Sequence, residues 1–257
     1  MDRSRQSTES HPPAALLPAE VQLWRVFVSG PVASDAAAAH ELSEDERARA
    51  SRFRFEADRG RFVASHVALR RILASYLDAT PASLAFGTGT HGKPFLDSPA
   101  HGQSFRFSLS HSGDLALVAV SLGRDLGVDV EQVRPRADLE GFAARYFSPR
   151  ERDALARVPP GDRLRAFLEI WTLKEAYLKA CGDGLARALD ALDVTIGDAP
   201  SRLEAVRDRP GDAARWVLRQ VEIGEDYVAA LAVEGQGWQL RQLDWSAESR
   251  SVGPAQR

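Results

Sequence analysis

The sequence predicts an α+β protein built from two halves that each combine strands with helices. Two observations predict this fold class: strand-like alternation occurs in both halves, and segments with helix-start signals lie between the strands. The composition of the 257 residues, 44% hydrophobic and 27% charged, is that of a globular protein with a substantial core. We expect the halves to meet near residues 122–124 and ligands to bind at their interface.

In the first half, residues 21–28 alternate and carry β-branched and aromatic side chains, which predicts a strand. Ser43 followed by Glu46 predicts a capping box, so an arginine-rich helix begins there. Glycines and a proline within residues 87–94 predict a loop. The other predicted elements of this half are a helix over 58–76 and strands over 105–110 and 115–120, joined by a turn over 111–114.

In the second half, the short alternating segment 127–131 predicts a strand. Ser148, Pro149 and Glu151 form a helix-start pattern, with serine as the cap and proline in the first turn. Gly182 predicts the end of the next helix, because glycine suits a helix C-terminus. The other predicted elements of this half are a helix over 163–180 and strands over 193–196, 216–222 and 227–233.

These elements divide the chain into a disordered tail over residues 1–18, an N-terminal half over 19–122, a C-terminal half over 123–245 and a flexible tail over 246–257. No apolar run is long enough to span a membrane, so we expect no membrane association. The single cysteine, Cys181, excludes an intrachain disulfide and makes a cytoplasmic location the default expectation. The net charge of −3 gives no support to nucleic-acid binding, which favours a strongly basic surface.

Asp129 and Glu131 occupy alternate positions of a predicted strand, so both carboxylates point to the same side. Two carboxylates that close repel each other, and the pKa of one rises unless a cation lies between them. A solvated strand end is the alternative interpretation, since most acidic residues are exposed. The apolar neighbours Leu126, Val128 and Val130 argue against full exposure.

Glu175 and Lys179 are four positions apart on a predicted helix and therefore lie on one face. A surface ion pair is the ordinary interpretation of this spacing. The alternative is that Glu175 supplies a third carboxylate for a hard cation while Lys179 contacts phosphate oxygens. Proteins hold Mg²⁺ with a few carboxylates together with waters and substrate phosphates, so these acids are suited to it.

Ser110 and His111 could indicate a hydrolase nucleophile and base, but neighbouring strand residues point apart and no Gly-x-Ser-x-Gly motif surrounds them. His111 can instead donate an N–H to a phosphate oxygen. Guanidinium groups also match phosphate oxygens, although most arginines here are expected on solvated helix faces. We expect no standard nucleotide-binding fold, because Pro94 stands where a P-loop has serine or threonine, and the glycines at 87, 89 and 92 lie in a predicted loop rather than between a strand and a helix. The basic candidates are Arg47, Arg49, Arg52, Arg54, Arg59, Arg61, Arg70, Arg71 and Lys93.

Five sequence blocks follow one another in a specific order. They are His-Gly-Lys-Pro at 91–94, Phe-Ser-Leu-Ser-His-Ser at 107–112, Gly-Val-Asp-Val-Glu at 127–131, Arg-Tyr-Phe-Ser at 145–148 and Trp-Thr-Leu-Lys-Glu-Ala-Tyr-Leu-Lys at 171–179. In this order and spacing they resemble the phosphopantetheinyl transferases, in particular the surfactin-synthetase-activating (Sfp) type. The resemblance implies a pseudo-twofold monomer of two similar α+β halves, with the ligand site at their interface.

The resemblance implies how the acids and their neighbours act. Asp129, Glu131 and Glu175 match metal-binding acids, which would hold Mg²⁺, with Mn²⁺ as an alternative. Lys179 and His111 match residues that contact the pyrophosphate of coenzyme A and stabilise its oxyanions. Glu175 or a metal-bound water would accept the proton from the serine of the carrier protein.

Further matches concern the two substrates. Arg49, Arg61 and Lys93 match basic groups near the adenosine phosphates of coenzyme A, and Ser110 lies at a ligand-contacting position. The segment 145–154 resembles the region where the carrier protein docks. Asp183 is a departure, because many relatives have a lysine at that position.

The reaction implied by the resemblance moves the phosphopantetheine arm of coenzyme A to a serine of an acyl, peptidyl or aryl carrier domain and releases 3′,5′-ADP. Carriers of polyketide or nonribosomal-peptide biosynthesis are the expected partners. Three alternatives remain at this point: a non-catalytic module that binds coenzyme A or a carrier, a Mg²⁺-dependent phosphohydrolase that uses the same acids, and a structural α+β protein.

Overall fold

The fold is seen in a computed structural model, which describes residues 16–28, 36–97, 104–136, 138–182, 184, 188–196 and 201–246. The two predicted tails fall largely outside the described residues, which exclude 1–15 and 247–257. Asp183, where the chain departs from many relatives of the family it resembles, also lies outside them.

Runs of helices and runs of strands follow one another along the chain, which confirms the predicted α+β class. The strands are β1 (Glu20–Phe27), β2 (Phe86–Thr88), β3 (Pro94–Leu96), β4 (Phe105–Ser112), β5 (Leu115–Leu122), β6 (Leu126–Gln132), β7 (Leu192–Thr195), β8 (Arg202–Val206), β9 (Trp216–Val221), β10 (Tyr227–Glu234) and β11 (Gln239–Trp245). The helices are α1 (Glu44–Ala50), α2 (Glu56–Leu77), α3 (Leu139–Tyr146), α4 (Pro149–Arg157), α5 (Arg163–Cys181) and α6 (Asp212–Arg215), with 3₁₀ turns at Ala36–Glu41, Pro81–Ser83 and Leu189–Ala191.

Two sheets organise the two halves. The first has the strand order β11-β1-β5-β4 and the second the order β6-β10-β9, while β2-β3 and β7-β8 form separate hairpins. The apolar face of α2 packs on one side of the first sheet, and α5 packs on one side of the second. Apolar side chains of both sheets, including Leu117 from β5 and Val128 from β6, fill a third cluster between them. Each long helix therefore covers the outer face of one sheet.

The last strand crosses from one half to the other. β11 pairs in parallel with β1, with Gln239 opposite Glu20 and Trp245 opposite Val26. The predicted C-terminal half, residues 123–245, thus contains a strand that completes the sheet of the first half. The division of the chain near residues 122–124 remains a prediction.

Serine side chains join the facing edges of the two sheets. The Oγ atoms of Ser108, Ser110 and Ser112 on β4 accept hydrogen bonds from the backbone N–H groups of Val128 (3.1 Å), Val130 (3.4 Å) and Gln132 (3.1 Å) on β6. Equal steps of two residues on both strands mean that β4 and β6 run in the same direction, with hydroxyl groups between them. The junction between the halves is therefore polar along β6, the strand that carries Asp129 and Glu131.

The local start and stop signals were read correctly from the sequence. Both capping boxes are present, Ser43 with Glu46 and Ser148 with Glu151, and Gly182 ends α5 in the left-handed conformation with φ 73°. The predicted turn over 111–114 is present but shorter, at Gly113 and Asp114, because β4 continues through Ser112 and its pairing with β5 places His111 on the strand. The predicted loop over 87–94 is the tip of the β2–β3 hairpin. Helices α3 and α6 and strands β2, β3, β8 and β11 were not predicted.

Within the described residues, no helix combines the length and the apolar character needed to cross a membrane.

Candidate active site

A glycine allows α5 to lie directly on β6. A Cβ atom at Gly127 would overlap with the carbonyl oxygen of Ala176 and the backbone nitrogen of Ala180. Asp129 and Glu131 follow on the same face of the strand, because alternate residues share a face. Their side chains therefore point toward α5, and only their common strand face was predicted from the sequence.

Asp129 is the most buried of the site acids, with only 6% of its surface exposed. Its Oδ1 accepts hydrogen bonds from Ser110 Oγ (2.9 Å) and Lys179 Nζ (2.7 Å). Its Oδ2 is buried and has no hydrogen-bond partner in the described part of the chain. An unsatisfied buried carboxylate oxygen is costly, so this atom indicates a missing ligand.

Glu131 is already paired within the protein. Its Oε2 accepts from Ser112 Oγ (3.0 Å) and from Arg136 Nη2 (2.7 Å). Arg136 follows β6 in the chain, and the sequence analysis did not identify it as a partner. Glu131 therefore differs from Asp129, because an arginine of the same chain neutralises part of its charge.

Glu175 projects from α5 toward the two strand acids. Its Oε1 is buried and lacks a hydrogen-bond partner among the described residues. Burial, followed by the negative charge of Asp129, raises the pKa of Glu175 to about 7; Lys179 opposes this shift and Glu131 adds to it. These influences place Glu175 in the electrostatic field of both strand acids, which the sequence predicted for a third carboxylate.

The donor set fits a small hard cation through its unsatisfied atoms. Among the residues that the structure describes, no three His, Cys, Asp or Glu side chains are arranged closely enough to form a ready-made metal site. Asp129 and Glu175 nevertheless each keep a buried oxygen without a partner. One or two carboxylates with waters and substrate phosphates are the usual protein contribution to a Mg²⁺ site. Mg²⁺ therefore fits this pair of acids.

Lys179 connects the two halves at the site. Its ammonium group donates to Ser110 Oγ (2.8 Å) as well as to Asp129 Oδ1, so a residue of α5 contacts both β4 and β6. The surface-pair interpretation of Glu175 and Lys179 is wrong, since Lys179 forms its ion pair with Asp129 on β6. Ser110 likewise contributes to the site through a hydroxyl shared by Asp129 and Lys179.

His111 lies next to Ser110 on β4, in a positively charged environment. Burial of its ring, then the charges of Lys179, Arg49 and Arg61, lower its pKa, so the imidazole is neutral at physiological pH. Arg61 is held by Asp114 (Nε to Oδ1, 3.1 Å). Three predicted basic residues thus disfavour the protonated form of His111 through their charges.

Arg49 and Lys93 have different surroundings. The Arg49 guanidinium lies 5.6 Å from the centroid of the Phe62 ring and is exposed to solvent. Lys93 instead donates hydrogen bonds to the backbone carbonyl of Leu126, the first residue of β6, and to that of Ala180, in the last turn of α5. No local pattern predicts that contact, because it joins segments far apart in the chain.

Two residues that hold the acids were missed by sequence reasoning. Ser112 and Arg136 fix Glu131, while Ser108 and Ser110 support the backbone of β6. Serines at every second position of β4 were a visible signal, because alternate residues share one strand face. Arg136 lies in an irregular segment and carried no comparable signal.

Comparison with known proteins gives a consistent result. The profile of the "4'-phosphopantetheinyl transferase superfamily" matches residues 125–232, and that of "4'-phosphopantetheinyl transferase, N-terminal" matches residues 31–123. The 4'-phosphopantetheinyl transferase HetI of Nostoc sp. is 40% identical over 229 residues, covering 89% of this chain and 93% of the relative.

Two other relatives carry the same activity in their names. A phosphopantetheinyl transferase of Thraustochytrium sp. is 34% identical over 235 residues, covering 84% of this chain and 80% of the relative. The 4'-phosphopantetheinyl transferase Sfp of Bacillus subtilis is 29% identical over 157 residues, covering 60% and 66%. The resemblance to this family found in the five sequence blocks is confirmed, and the chain belongs to the 4'-phosphopantetheinyl transferase superfamily.

Proposed function

We propose that this chain transfers the 4'-phosphopantetheine arm of coenzyme A to a serine of a carrier protein. In this reaction the serine Oγ forms a bond to the β-phosphorus of coenzyme A, and the bond from that phosphorus to 3′,5′-ADP breaks. One observation carries the proposal: two unsatisfied acid oxygens of the second half, on Asp129 and Glu175, lie where Lys179 reaches Ser110 of the first half. Basic groups from both halves, together with a cation held by the acids of the second half, would suit a pyrophosphate.

Asp129 and Glu175 are the residues proposed to hold Mg²⁺, with Glu131 completing the set of acids. A bound Mg²⁺ ion would neutralise charge on the pyrophosphate and on the departing 3′,5′-ADP. Mn²⁺ has the same preference for carboxylate oxygens and is the alternative ion. Glu131 contributes less directly, because Ser112 and Arg136 already occupy its Oε2.

Glu175 is the proposed general base. Without a bound cation, burial and the charge of Asp129 raise the pKa of Glu175 to about 7, so this carboxylate accepts a proton more readily than an exposed glutamate does. The carboxylate has two oxygens, so one can face a cation while the other accepts the proton of the carrier serine. The nucleophile comes from the carrier, so Ser110 is not needed as a nucleophile. Its hydroxyl group can therefore remain bonded to Asp129 and Lys179.

Lys179 and His111 are proposed to bind the oxyanions of the pyrophosphate. Lys179 supplies a charged donor at the sheet junction, and the neutral imidazole of His111 supplies one N–H. Arg49 and Arg61 are proposed to bind the phosphates on the adenosine side, since both influence His111 electrostatically. Arg61 would exchange its contact with Asp114 for a phosphate oxygen.

The carrier protein is proposed to dock on the segment 145–154, next to α5. This segment exposes three arginines, Arg145 on α3 and Arg150 and Arg152 on α4. Phe142, also on α3, is 45% exposed. An exposed aromatic side chain among arginines is typical of a protein-binding surface. We further propose a cytoplasmic monomer of the Sfp type that serves polyketide or nonribosomal-peptide carriers.

Intact-mass spectrometry tests the proposal. A purified apo-carrier domain incubated with the chain, coenzyme A and Mg²⁺ is expected to gain roughly 340 Da, and EDTA should abolish the gain. Binding of coenzyme A without any mass gain on several carriers would favour the binding-module alternative. Phosphate-ester hydrolysis in the absence of a carrier would favour the phosphohydrolase alternative.

A further inference from the structure

Lys93 connects the hairpin of the first half with the backbone of the second. Its Nζ donates to the carbonyl oxygen of Ala180 (2.7 Å) in the last turn of α5 and to that of Leu126 (3.2 Å), the first residue of β6. These elements carry the proposed site acids and Lys179. One ammonium group therefore joins the two elements whose relative position defines the site.

The end of α5 explains why a cation is stabilised there. The last carbonyl groups of a helix lack intrahelical partners and form the negative end of the helix dipole. The N–H of Gly182 bonds to the carbonyl of Leu178, which leaves the carbonyl of Ala180 for Lys93. A cap for this helix is thus supplied by the other half of the protein.

The lysine stem is fitted closely to this helix end. A Cβ at Gly182 would lie 3.3 Å from Lys93 Cδ, and one at Gly184 would lie 3.1 Å from the carbonyl oxygen of His91. Both glycines have positive φ, at 73° and 59°. The hairpin tip therefore packs against a turn that only glycine can form without strain.

Lys93 has exchanged water for protein carbonyl groups. The residue is half-buried, and burial is the largest influence on its pKa, which it lowers. Its two hydrogen bonds go to backbone atoms that remain in the protein throughout the reaction. Lys93 therefore differs from a solvent-exposed lysine, whose ammonium group is free to bind a phosphate.

We propose that Lys93 is a positioning residue that clamps β6 to the end of α5, rather than a group that binds a phosphate of coenzyme A. The clamp acts beside Gly127, where β6 and α5 approach most closely. Loss of the ammonium leaves the carbonyls of Leu126 and Ala180 without this partner. The last turn of α5 then loosens, and Lys179 moves relative to Asp129.

The test uses two variants of Lys93 and two donor substrates. Lys93→Met keeps the length of the stem and removes the charge, whereas Lys93→Arg keeps the charged donors. Each is compared with wild type by ligand-free thermal unfolding, and by transfer kinetics with coenzyme A and with 3′-dephospho-coenzyme A. Arg61→Met serves as the comparator for a residue proposed to bind a phosphate.

For Lys93→Met, we expect a Tm about 5 °C lower, because two hydrogen bonds from a charged donor are lost. We expect kcat to fall about tenfold with both donors, while the ratio of their KM values stays at the wild-type level. Lys93→Arg should recover most of the Tm and of kcat. If Lys93→Met does not fold, Lys93→Gln, which keeps an uncharged donor group with two N–H bonds, is measured in the same way.

Two results would overturn the proposal. One is a wild-type Tm and kcat in Lys93→Met. The other is a rise in KM for coenzyme A alone, as expected for Arg61→Met, with an unchanged Tm. The kinetic readout rests on the proposed function, but unfolding is measured without substrates. A wild-type chain inactive on carriers would therefore reject the proposed function and leave the clamp testable.

Discussion

Helix α5 carries two lysines that each pair with an acid, and the two pairs differ in how completely the acid is satisfied. Lys174 and Glu151 are buried, with side chains 0% and 2% exposed. Glu151 Oε1 accepts from the N–H of Val194 (2.9 Å), and its Oε2 accepts from the N–H of Ser148 (2.8 Å) and pairs with Lys174. Lys174 also donates to the carbonyl of Leu189 (3.0 Å).

In the second pair, Lys179 with Asp129, one carboxylate oxygen of the acid has no hydrogen-bond partner among the described residues. Lys179 is 32% exposed, and Asp129 keeps Oδ2 without a partner within the described residues. Glu175, on the same helix, keeps Oε1 in the same state. The first pair, with every oxygen of Glu151 satisfied, holds elements together, whereas the spare oxygens of Asp129 and Glu175 are the atoms proposed to bind an external cation.

The largest expected effect comes from breaking the unsatisfied pair. Asp129→Ala should reduce the rate of carrier modification by about a thousandfold or more. The reason is that it removes an acid proposed to hold the cation that neutralises the pyrophosphate. Its Tm should stay near that of wild type, since Asp129 is under-satisfied and repels Glu175. Intact-mass kinetics and thermal unfolding measure both quantities. Turnover like that of wild type would remove Asp129 from the site.

Breaking the satisfied pair should affect stability instead. Lys174→Met leaves Glu151 buried and uncompensated, which costs about 3–5 kcal/mol of unfolding free energy. The double variant Lys174→Met with Glu151→Gln removes both charges and should recover most of that loss. Urea unfolding provides the values. A single variant as stable as wild type would contradict the scaffolding role of the pair.

His66 sharpens the comparison, because it lies near the site but is satisfied. Its Nδ1 contacts the carbonyl oxygen of Phe62 at 2.9 Å. Burial lowers its pKa to about 4; Glu46 opposes this shift, while His111 and Arg49 add to it. Below pH 6.5 the unfolded chain therefore binds the extra proton, and stability falls as the pH falls.

Between pH 7 and 5 this histidine should account for about 2 kcal/mol of lost stability. His66→Gln should remove that part of the slope, which urea unfolding at both pH values measures. An unchanged slope in the variant would mean that His66 titrates alike in the folded and unfolded chain.

The smallest expected effect comes from breaking an ion pair at the protein surface. Arg215 and Glu234 are 54% and 31% exposed, with Nη2 and Oε1 2.8 Å apart. Arg215→Met should cost at most about 1 kcal/mol and leave transfer unchanged, because solvent screens the pair. A loss of unfolding free energy as large as that of Lys174→Met would show that the stabilisation by these ion pairs does not depend on their exposure to solvent.

Local patterns predicted the elements that carry the site. Alternation placed Asp129 and Glu131 on one strand face, helical spacing placed Glu175 beside Lys179, and the capping box of Ser148 fixed the start of α4. These features depend on neighbours in the sequence, so a sequence contains enough information to predict them.

Contacts between distant segments could not be predicted in this way. The pairing of β11 with β1 depends on where the chain returns, and the contact of Lys93 with Ala180 spans both halves. The salt bridge from Arg136 to Glu131 depends on the path of an irregular segment. No periodicity specifies such contacts, because they follow from tertiary packing.

The most direct test measures binding of the cation to the site acids. Thermal unfolding is followed with coenzyme A, with and without Mg²⁺, for wild type, Asp129→Asn and the Lys174→Met, Glu151→Gln double variant. We predict that Mg²⁺ raises the Tm of wild type and of the double variant but not that of Asp129→Asn. An equal rise in Asp129→Asn would contradict the assignment of the unsatisfied acids as the cation site.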